Sequence, residues 1–372
     1  MVEQSRLAGP EASPLTPLAE ALARLLAGVA PAAPRRVPLR AAEGRILAMP
    51  LQAHTAVPRT AVALRDGWAV AAEDVVGASS YSPVFLTQAP AWVATGDELP
   101  PGADCVLPPD AVAAPAGAGA ADPVEVTASA APGEGVRRAG EDAGADAVLR
   151  RSGERLRALD FGVGTAIGIE MCVVREPRVR VLLVGGRPTP SSDFLQRFAV
   201  QAGARVEHQA FRERTRLSVI MSTPPADLLI MTGDMALAAE VLSAEGEVLA
   251  WSVALRPGEG TMCGRFGATP AILVPPRLET ALAVALALLR PCLAHLSGAA
   301  PEPPLRAPLA RKIASNLGLA EVALLRQAAD GFEPLACGDL TLSAMTAADA
   351  WLAVPPDSEG FAAGELAEAF PL

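Results

Sequence analysis

From Arg178 to Leu296 the chain alternates short apolar runs with helix-patterned stretches, and this alternation constrains the fold more than any other feature. Val179–Val184 reads as an apolar strand that ends at Gly185-Gly186. Ser191-Ser192-Asp193 then suits the start of a helix to about Ala202, with Gly203 as its stop. Arg205–Gln209 is the next predicted strand. Asp227–Met231 is another, ending in Thr232-Gly233-Asp234 before a helix to about Ser243. Val248–Leu255 and Ala271–Val274 read as further strands, and Leu278–Leu296 as an Ala- and Leu-rich helix. Alternating β and α units predict an α/β domain, a mostly parallel sheet with helices on both faces.

The flanking sequence has a different texture. At 372 residues the chain exceeds one ordinary core, so two to four domains are expected. Residues 1–14 are polar and are expected to be disordered. Thr16 suits a helix N-cap and Pro17 the first helical position, with Leu18, Leu22, Leu25 and Leu26 on one face. Between Val37 and Val136 short strands such as Trp68-Ala69-Val70, Ala91-Trp92-Val93 and Cys105-Val106-Leu107 alternate with Pro and Gly, which predicts a β-rich domain. Ala111–Ala121 looks like a loop tip. After Gly298 a Pro-rich linker leads to a segment, about 307–372, that reads as a small β-domain.

Composition removes several function classes. A formal net charge of -10 disfavours non-specific nucleic-acid binding and an anionic membrane surface. The positive charge is nearly all Arg, with Lys312 the one Lys, so any phosphate clamp is built from Arg. Five scattered Cys form no CxxC pair, which argues against a zinc ribbon or a disulfide framework and for small core residues. The start lacks a signal-peptide pattern, and the apolar stretch Ala281–Leu289 meets Arg290-Pro291 too soon to span a bilayer, so a cytoplasmic protein is expected.

In a parallel sheet, ligands lie beyond the carboxyl ends of the strands. Four predicted strand ends carry unusual residues: Gly185-Gly186-Arg187-Pro188, Thr232-Gly233-Asp234, Arg256-Pro257-Gly258 and Pro275-Pro276-Arg277. Meeting on one edge, they would offer backbone N–H groups and Arg to a phosphate; alternatively they simply end strands. No Walker loop, GxGxxG or GxSxG is present. Acidic groups lie near Gly turns at Asp66, Asp97-Glu98 and Glu141-Asp142. They suit either Mg²⁺ or plain turn capping.

Those segments resemble one family. Val57-Pro58 followed by Arg65-Asp66-Gly67-Trp68-Ala69-Val70 is similar to a Met-Asp-Gly-Tyr-Ala-Val signature. Thr95-Gly96 through Leu99-Pro100-Pro101-Gly102-Ala103-Asp104-Cys105-Val106 resembles Thr-Gly-x-x-Leu-Pro-x-Gly-Ala-Asp-x-Val. Val136–Asp142 resembles Arg-x-x-Gly-Glu-Asp, and Gly44-Arg45-Ile46-Leu47-Ala48 resembles Gly-Arg-x-Leu-Ala. The family is molybdopterin molybdenumtransferase, which includes gephyrin-like molybdenum-insertion domains.

The resemblance implies a multidomain α/β plus β protomer in a homodimer. Residues 15–50 and 137–177 would form a linker and dimerisation domain and 51–136 the β-rich insertion domain. A three-layer α/β molybdopterin-binding-like domain would span 178–298, with a C-terminal β-domain at 305–372. It implies a transferase that joins molybdate to adenylylated molybdopterin and releases AMP, with Mg²⁺ assisting. Partners would be the pterin phosphate, molybdate and possible proteins of the same pathway. It implies catalytic roles for Asp66, Thr95 and Asp142. Ligand binding falls to Gly185, Gly186, Arg187, Thr232, Gly233, Asp234, Arg256, Pro257, Gly258 and Pro275, and metal binding to Asp142, Asp227 and Glu240. Departures from the family pattern are concentrated after residue 178. Arg187 stands where the family has an acid, Glu259 where it has Lys, and Pro276 in a shortened loop. They leave open a second reading, a non-catalytic relative that binds the pterin as carrier or scaffold.

Overall fold

The computed structural model describes residues 15–112, 123–211 and 226–372. The expected disorder of 1–14 and most of the expected loop tip 111–121 lie outside these. The chain folds into two compact units: 1–49, 151–161 and 170–372 form the first, and 50–150 with 162–169 the second.

The first unit is built on a six-stranded sheet. Its elements are β1 (Arg178–Val184), α1 (Pro190–Gln201), β2 (Arg205–Phe211), β3 (Leu228–Gly233), α2 (Met235–Glu245), β4 (Glu247–Ala250), β5 (Met262–Phe266), β6 (Thr269–Val274) and α3 (Leu278–Ser297). The strand order is β2-β1-β3-β6-β5-β4. The first four strands are parallel, and β5 runs antiparallel to both β6 and β4. Alternate residues face opposite layers. Val179, Val181 and Leu183 pack with Leu195 and α3, whereas Leu182, Val184, Leu229 and Met231 pack with Ala238, Val241 and Leu242 of α2. The apolar reading of β1 passed over Arg180, which is buried with its guanidinium 3.4 Å from Glu207 on neighbouring β2.

Helix α3 is 20 residues long and apolar enough to cross a membrane by length and composition, but most of it is buried inside the unit. It continues through Arg290-Pro291 because one π turn, Ala285–Leu289, precedes them, with the Arg290 N–H donating to Ala285 O. A wider turn ahead of proline relieves the clash its ring makes with the preceding turn.

A second sheet follows the order Thr16–Pro17, Val253–Arg256, Ala320–Ala328, Ala350–Val354, Leu366–Pro371, Leu305–Pro308, with Gly331–Cys337 pairing to Ala320–Ala328. Two expectations are corrected here. The predicted strand Val248–Leu255 breaks at Trp251-Ser252. Its first part is β4, but Val253–Arg256 crosses into this second sheet, parallel to Ala320 and Glu321. Thr16 is not a helix cap. Its N–H donates to Ser252 O, Thr16–Pro17 pairs with Val253–Ala254, and the helix Leu18–Leu26 begins without a side-chain cap. One apolar cluster runs from β1 through α3 to Val322, Leu324 and Trp351, so residues 305–372 share their core with the α/β sheet.

The second unit is a set of short antiparallel pairings around a three-stranded sheet, Ala91–Val93, Gly67–Val70 and Cys105–Leu107. Val62–Ala63 pairs with Val136–Arg137, and Leu51–Gln52 with Val148–Arg150. Residues 137–150, expected in the linker, therefore belong to this unit. Val70, Val75, Cys105, Leu107, Val124 and Val126 form its main core.

Candidate functional site

In the second unit the chain around Asp66 is fixed by a close backbone approach. A Cβ on Gly67 would lie 1.9 Å from Leu107 O, so only glycine lets the two strands pair here. Gly67 is opposite Val93, which brings the turn after Val93 to Asp66. Asp66 Oδ1 accepts the Thr95 N–H at 2.7 Å and the Thr95 hydroxyl at 2.9 Å. The backbone bond first, and the hydroxyl second, hold the Asp66 carboxyl below the usual range. Both residues are exposed, and Asp66 Oδ2 accepts no hydrogen bond among the described residues. Asp97 closes the turn by accepting the Ala94 N–H at 2.8 Å.

Asp142 lies in a separate turn of the same unit. Its Oδ1 receives Arg137 Nη1 at 2.6 Å, while Glu141 accepts the Arg138 N–H at 2.8 Å. No hydrogen bond or ion pair joins Asp142 to the Asp66–Thr95 pair among the described residues.

In the first unit three helices begin where three adjacent parallel strands end. Thr189 caps α1 through a reciprocal bond with Ser192, two residues before the start read from sequence. Asp234 caps α2 by accepting the Leu237 N–H at 3.1 Å. Arg277 opens α3 with no side-chain cap. The loops are contiguous. Gly233 has φ 117° and a Cβ there would lie 2.0 Å from Val184 O, so β1 and β3 touch at their ends. A Cβ on Gly185 would sit 3.6 Å from Asp234 Cβ. The fourth loop joins from the other sheet, since a Cβ on Gly260 would lie 3.3 Å from Pro275 Cγ. Helix N-termini carry unpaired N–H groups and partial positive charge, so this row suits an anion. Thr232 Oγ1, Ser191 Oγ and Thr261 Oγ1 are buried without a hydrogen-bond partner. Thr261 was missed, and nothing in its spacing marks it.

The arginines of this edge differ in availability. Arg187 is exposed and engages no hydrogen bond or ion pair among the described residues. Arg277 is paired with Glu279. Arg256, followed by Pro257 and Gly258, donates from Nε to Glu259 at 2.9 Å and lies 3.6 Å from Glu321, a side chain only 2% exposed. Glu321 also accepts from Asn316 at 3.1 Å and from the Cys337 thiol at 3.4 Å. Burial pushes the Glu259 carboxyl up, but the bonds from Arg256 and the local backbone outweigh it, and the group ends below its ordinary value. Arg256 thus serves two carboxylates, which the sequence did not show because Glu321 lies far along the chain.

The proposed metal ligands do not converge. Asp227 precedes β3, at the opposite end from Asp234, and accepts the Arg178 N–H at 2.7 Å. Glu240 lies inside α2, and Asp142 is tied to Arg137 in the other unit. Among the described residues no three His, Cys, Asp or Glu side chains gather as a metal-ligating group. The donors therefore do not fit a Mg²⁺ site within either unit.

Residues 16–168 match the MoeA N-terminal region (domain I and II). Over 316 residues the chain is 28% identical to molybdopterin molybdenumtransferase 2 of Mycobacterium tuberculosis, covering 73% of this chain and 76% of that one. These matches support the molybdopterin molybdenumtransferase family for this chain. A putative molybdopterin biosynthesis protein of Methanocaldococcus jannaschii is 23% identical over 377 residues, 90% of this chain and 92% of that one. In fold, the chain is similar to the molybdopterin biosynthesis moeA protein of Pyrococcus horikoshii OT3, with a TM-score of 0.74, 24% identity, and coverage of 96% of this chain and 100% of that one. This likeness bears out the multidomain α/β plus β class.

Proposed function

We propose that this chain is a transferase of molybdenum cofactor biosynthesis that inserts molybdate into adenylylated molybdopterin and releases AMP. The observation that carries the reading is the bond between Asp66 and Thr95, residues of two separate motifs that meet at one exposed carboxylate. The name of the Mycobacterium tuberculosis relative, a molybdopterin molybdenumtransferase, supports the same reaction class.

The chemistry couples two exchanges: the dithiolene sulfurs bond to molybdenum while an oxo group of molybdate leaves as water, and water adds to a phosphorus of the pyrophosphate while AMP leaves. Within the first unit, the three helix N-termini and Arg187 suit an anionic phosphate. Within the second unit, Asp66 stays ionised well below neutral pH, and its Oδ2 is open to accept a hydrogen bond from water. Thr95 keeps that carboxylate in one orientation. The thiols take no part as nucleophiles, since burial pushes Cys105 up to about 11 and Cys337 to about 12.

A homodimer is part of the proposal. Leu159, Phe161 and Val163 on the helix Ala158–Ala166 are exposed apolar side chains, and a second copy of the chain would cover them. Light scattering at a protomer's mass would remove this part.

The deciding experiment mixes the purified full chain with adenylylated molybdopterin, molybdate and Mg²⁺ and measures AMP. Release is expected, with a sharp fall in Asp66→Ala, whose exposed side chain leaves the fold intact. A specific observation favours a second reading, a pterin carrier: Arg256 is held by Glu259 and Glu321. Tight binding of the pterin with no AMP would establish that reading and overturn the first.

A further inference from the structure

Trp68 and Trp92 face each other across neighbouring strands, one pair inward from Gly67 and Val93. Their rings meet edge to face, 5.0 Å between centroids at 81°. The Trp68 indole N–H donates to Pro109 O at 3.0 Å, which fixes that ring, and Trp92 is 50% exposed. The chain holds only four Trp and one Tyr, and an exposed indole held in one orientation by a second offers a flat face on which a ring can stack. The pair also adjoins the site already described. Trp68 is two residues from Asp66 along one strand, and Trp92 three residues from Thr95 along the other. At strand rise, Asp66 and Trp68 are about 7 Å apart, the length scale of a fused bicyclic ring.

We propose that Trp92, braced by Trp68, is a stacking platform for the pterin ring of the substrate. The inference deepens the function proposed above and rests on it for the identity of the ligand. Every planar heteroaromatic ring has a face to stack, so the indole alone does not choose between pterin and adenine. The neighbouring carboxylate does. Asp66 Oδ2 only accepts, and the pyrimidine edge of a pterin presents an amino group beside a ring N–H, two adjacent donors. Adenine places ring acceptors on either side of its amino group, so its edge gives a carboxylate one donor with an acceptor beside it. Trp92 is thereby a specificity-determining residue for the pterin half.

The test titrates the full chain with pterin-6-carboxylate and, separately, with AMP, following calorimetric heat and quenching of the pterin's own emission. Pterin binding with quenching is expected, weakened about tenfold in Trp92→Ala and largely retained in Trp92→Phe. AMP affinity is expected to be unchanged in both variants. Pterin affinity unaffected by Trp92→Ala, or a loss confined to AMP, overturns the platform; so does failure of the parent chain to bind the pterin. The AMP-release assay is read separately. Release that is insensitive to Trp92→Ala leaves the transferase and removes the platform, whereas Trp92-dependent pterin binding without release keeps the platform and removes the transferase.

Discussion

Glu259 sets how much of Arg256 a phosphate can use. Replacing it as Glu259→Gln removes one of the two carboxylates around the guanidinium while keeping side-chain size. The pair is 2.9 Å apart with side chains 39% and 40% exposed, so solvent screens it and the variant should lose no more than about 1 kcal/mol of stability. Binding should change in the opposite direction. A phosphate on the far side of the guanidinium would lie roughly 7 Å from the Glu259 carboxylate. At an intermediate effective dielectric, that repulsion is ~1 kcal/mol for a unit charge. Pyrophosphate should therefore bind about five- to tenfold more tightly to Glu259→Gln than to the parent by calorimetry. The gain should shrink at ~1 M salt, where screening acts within a few ångströms. Mild acid does not imitate the substitution, because Glu259 is held below its ordinary value and keeps its charge as pH falls from 7 to 5. Unchanged or weaker pyrophosphate binding in Glu259→Gln would refute the idea that Arg256 is held back from the anion edge.

Two further outcomes follow from the second unit. Gly67→Ala should lower thermal stability by ~1–3 kcal/mol or more, because its Cβ meets Leu107 O, and a parent-like melting curve would contradict the close strand approach. Thr95→Val removes one of the two donors to Asp66 and should raise the Asp66 pKa toward the ordinary aspartate value in a carboxyl NMR titration. The stability that Asp66 gains from Thr95 is present above the unfolded pKa and is lost as pH falls through the lower folded one, so the variant should differ less from the parent in acid than at neutral pH.

Local pattern made much of this fold readable. Apolar runs ending in Gly or Pro located β1, β3 and β6, and the helix-period stretch located α3. The Asp66 and Thr95 motifs were legible as motifs, and the structure adds that they bond to each other. Sheet membership was not legible. Val253–Leu255 is as apolar as the strands of the α/β sheet, and only the pairing partners, Thr16–Pro17 and Ala320–Glu321, decide where this strand goes. The same blindness to distant partners hid the Arg256–Glu321 contact and the buried hydroxyl of Thr261. Trp68 and Trp92 each stood in a recognisable strand, but register, which sets them opposite each other, depends on the turn geometry between them. Arg180 misled in the other direction, being a buried charge flanked by Val179 and Val181, with Glu207 supplied by β2.

The second sheet of the first unit interleaves strands drawn from residues 16–17, 253–256 and 305–371. A nascent chain that has emerged only to α3 therefore cannot close it. Helix α3 is then packed against the α/β sheet on one side and bare on the other, with nothing yet made to stand where Val322, Leu324 and Trp351 belong. Such a ribosome-bound intermediate offers chaperones a greasy flank, and a message truncated near codon 300 would yield an aggregation-prone product rather than a smaller working protein.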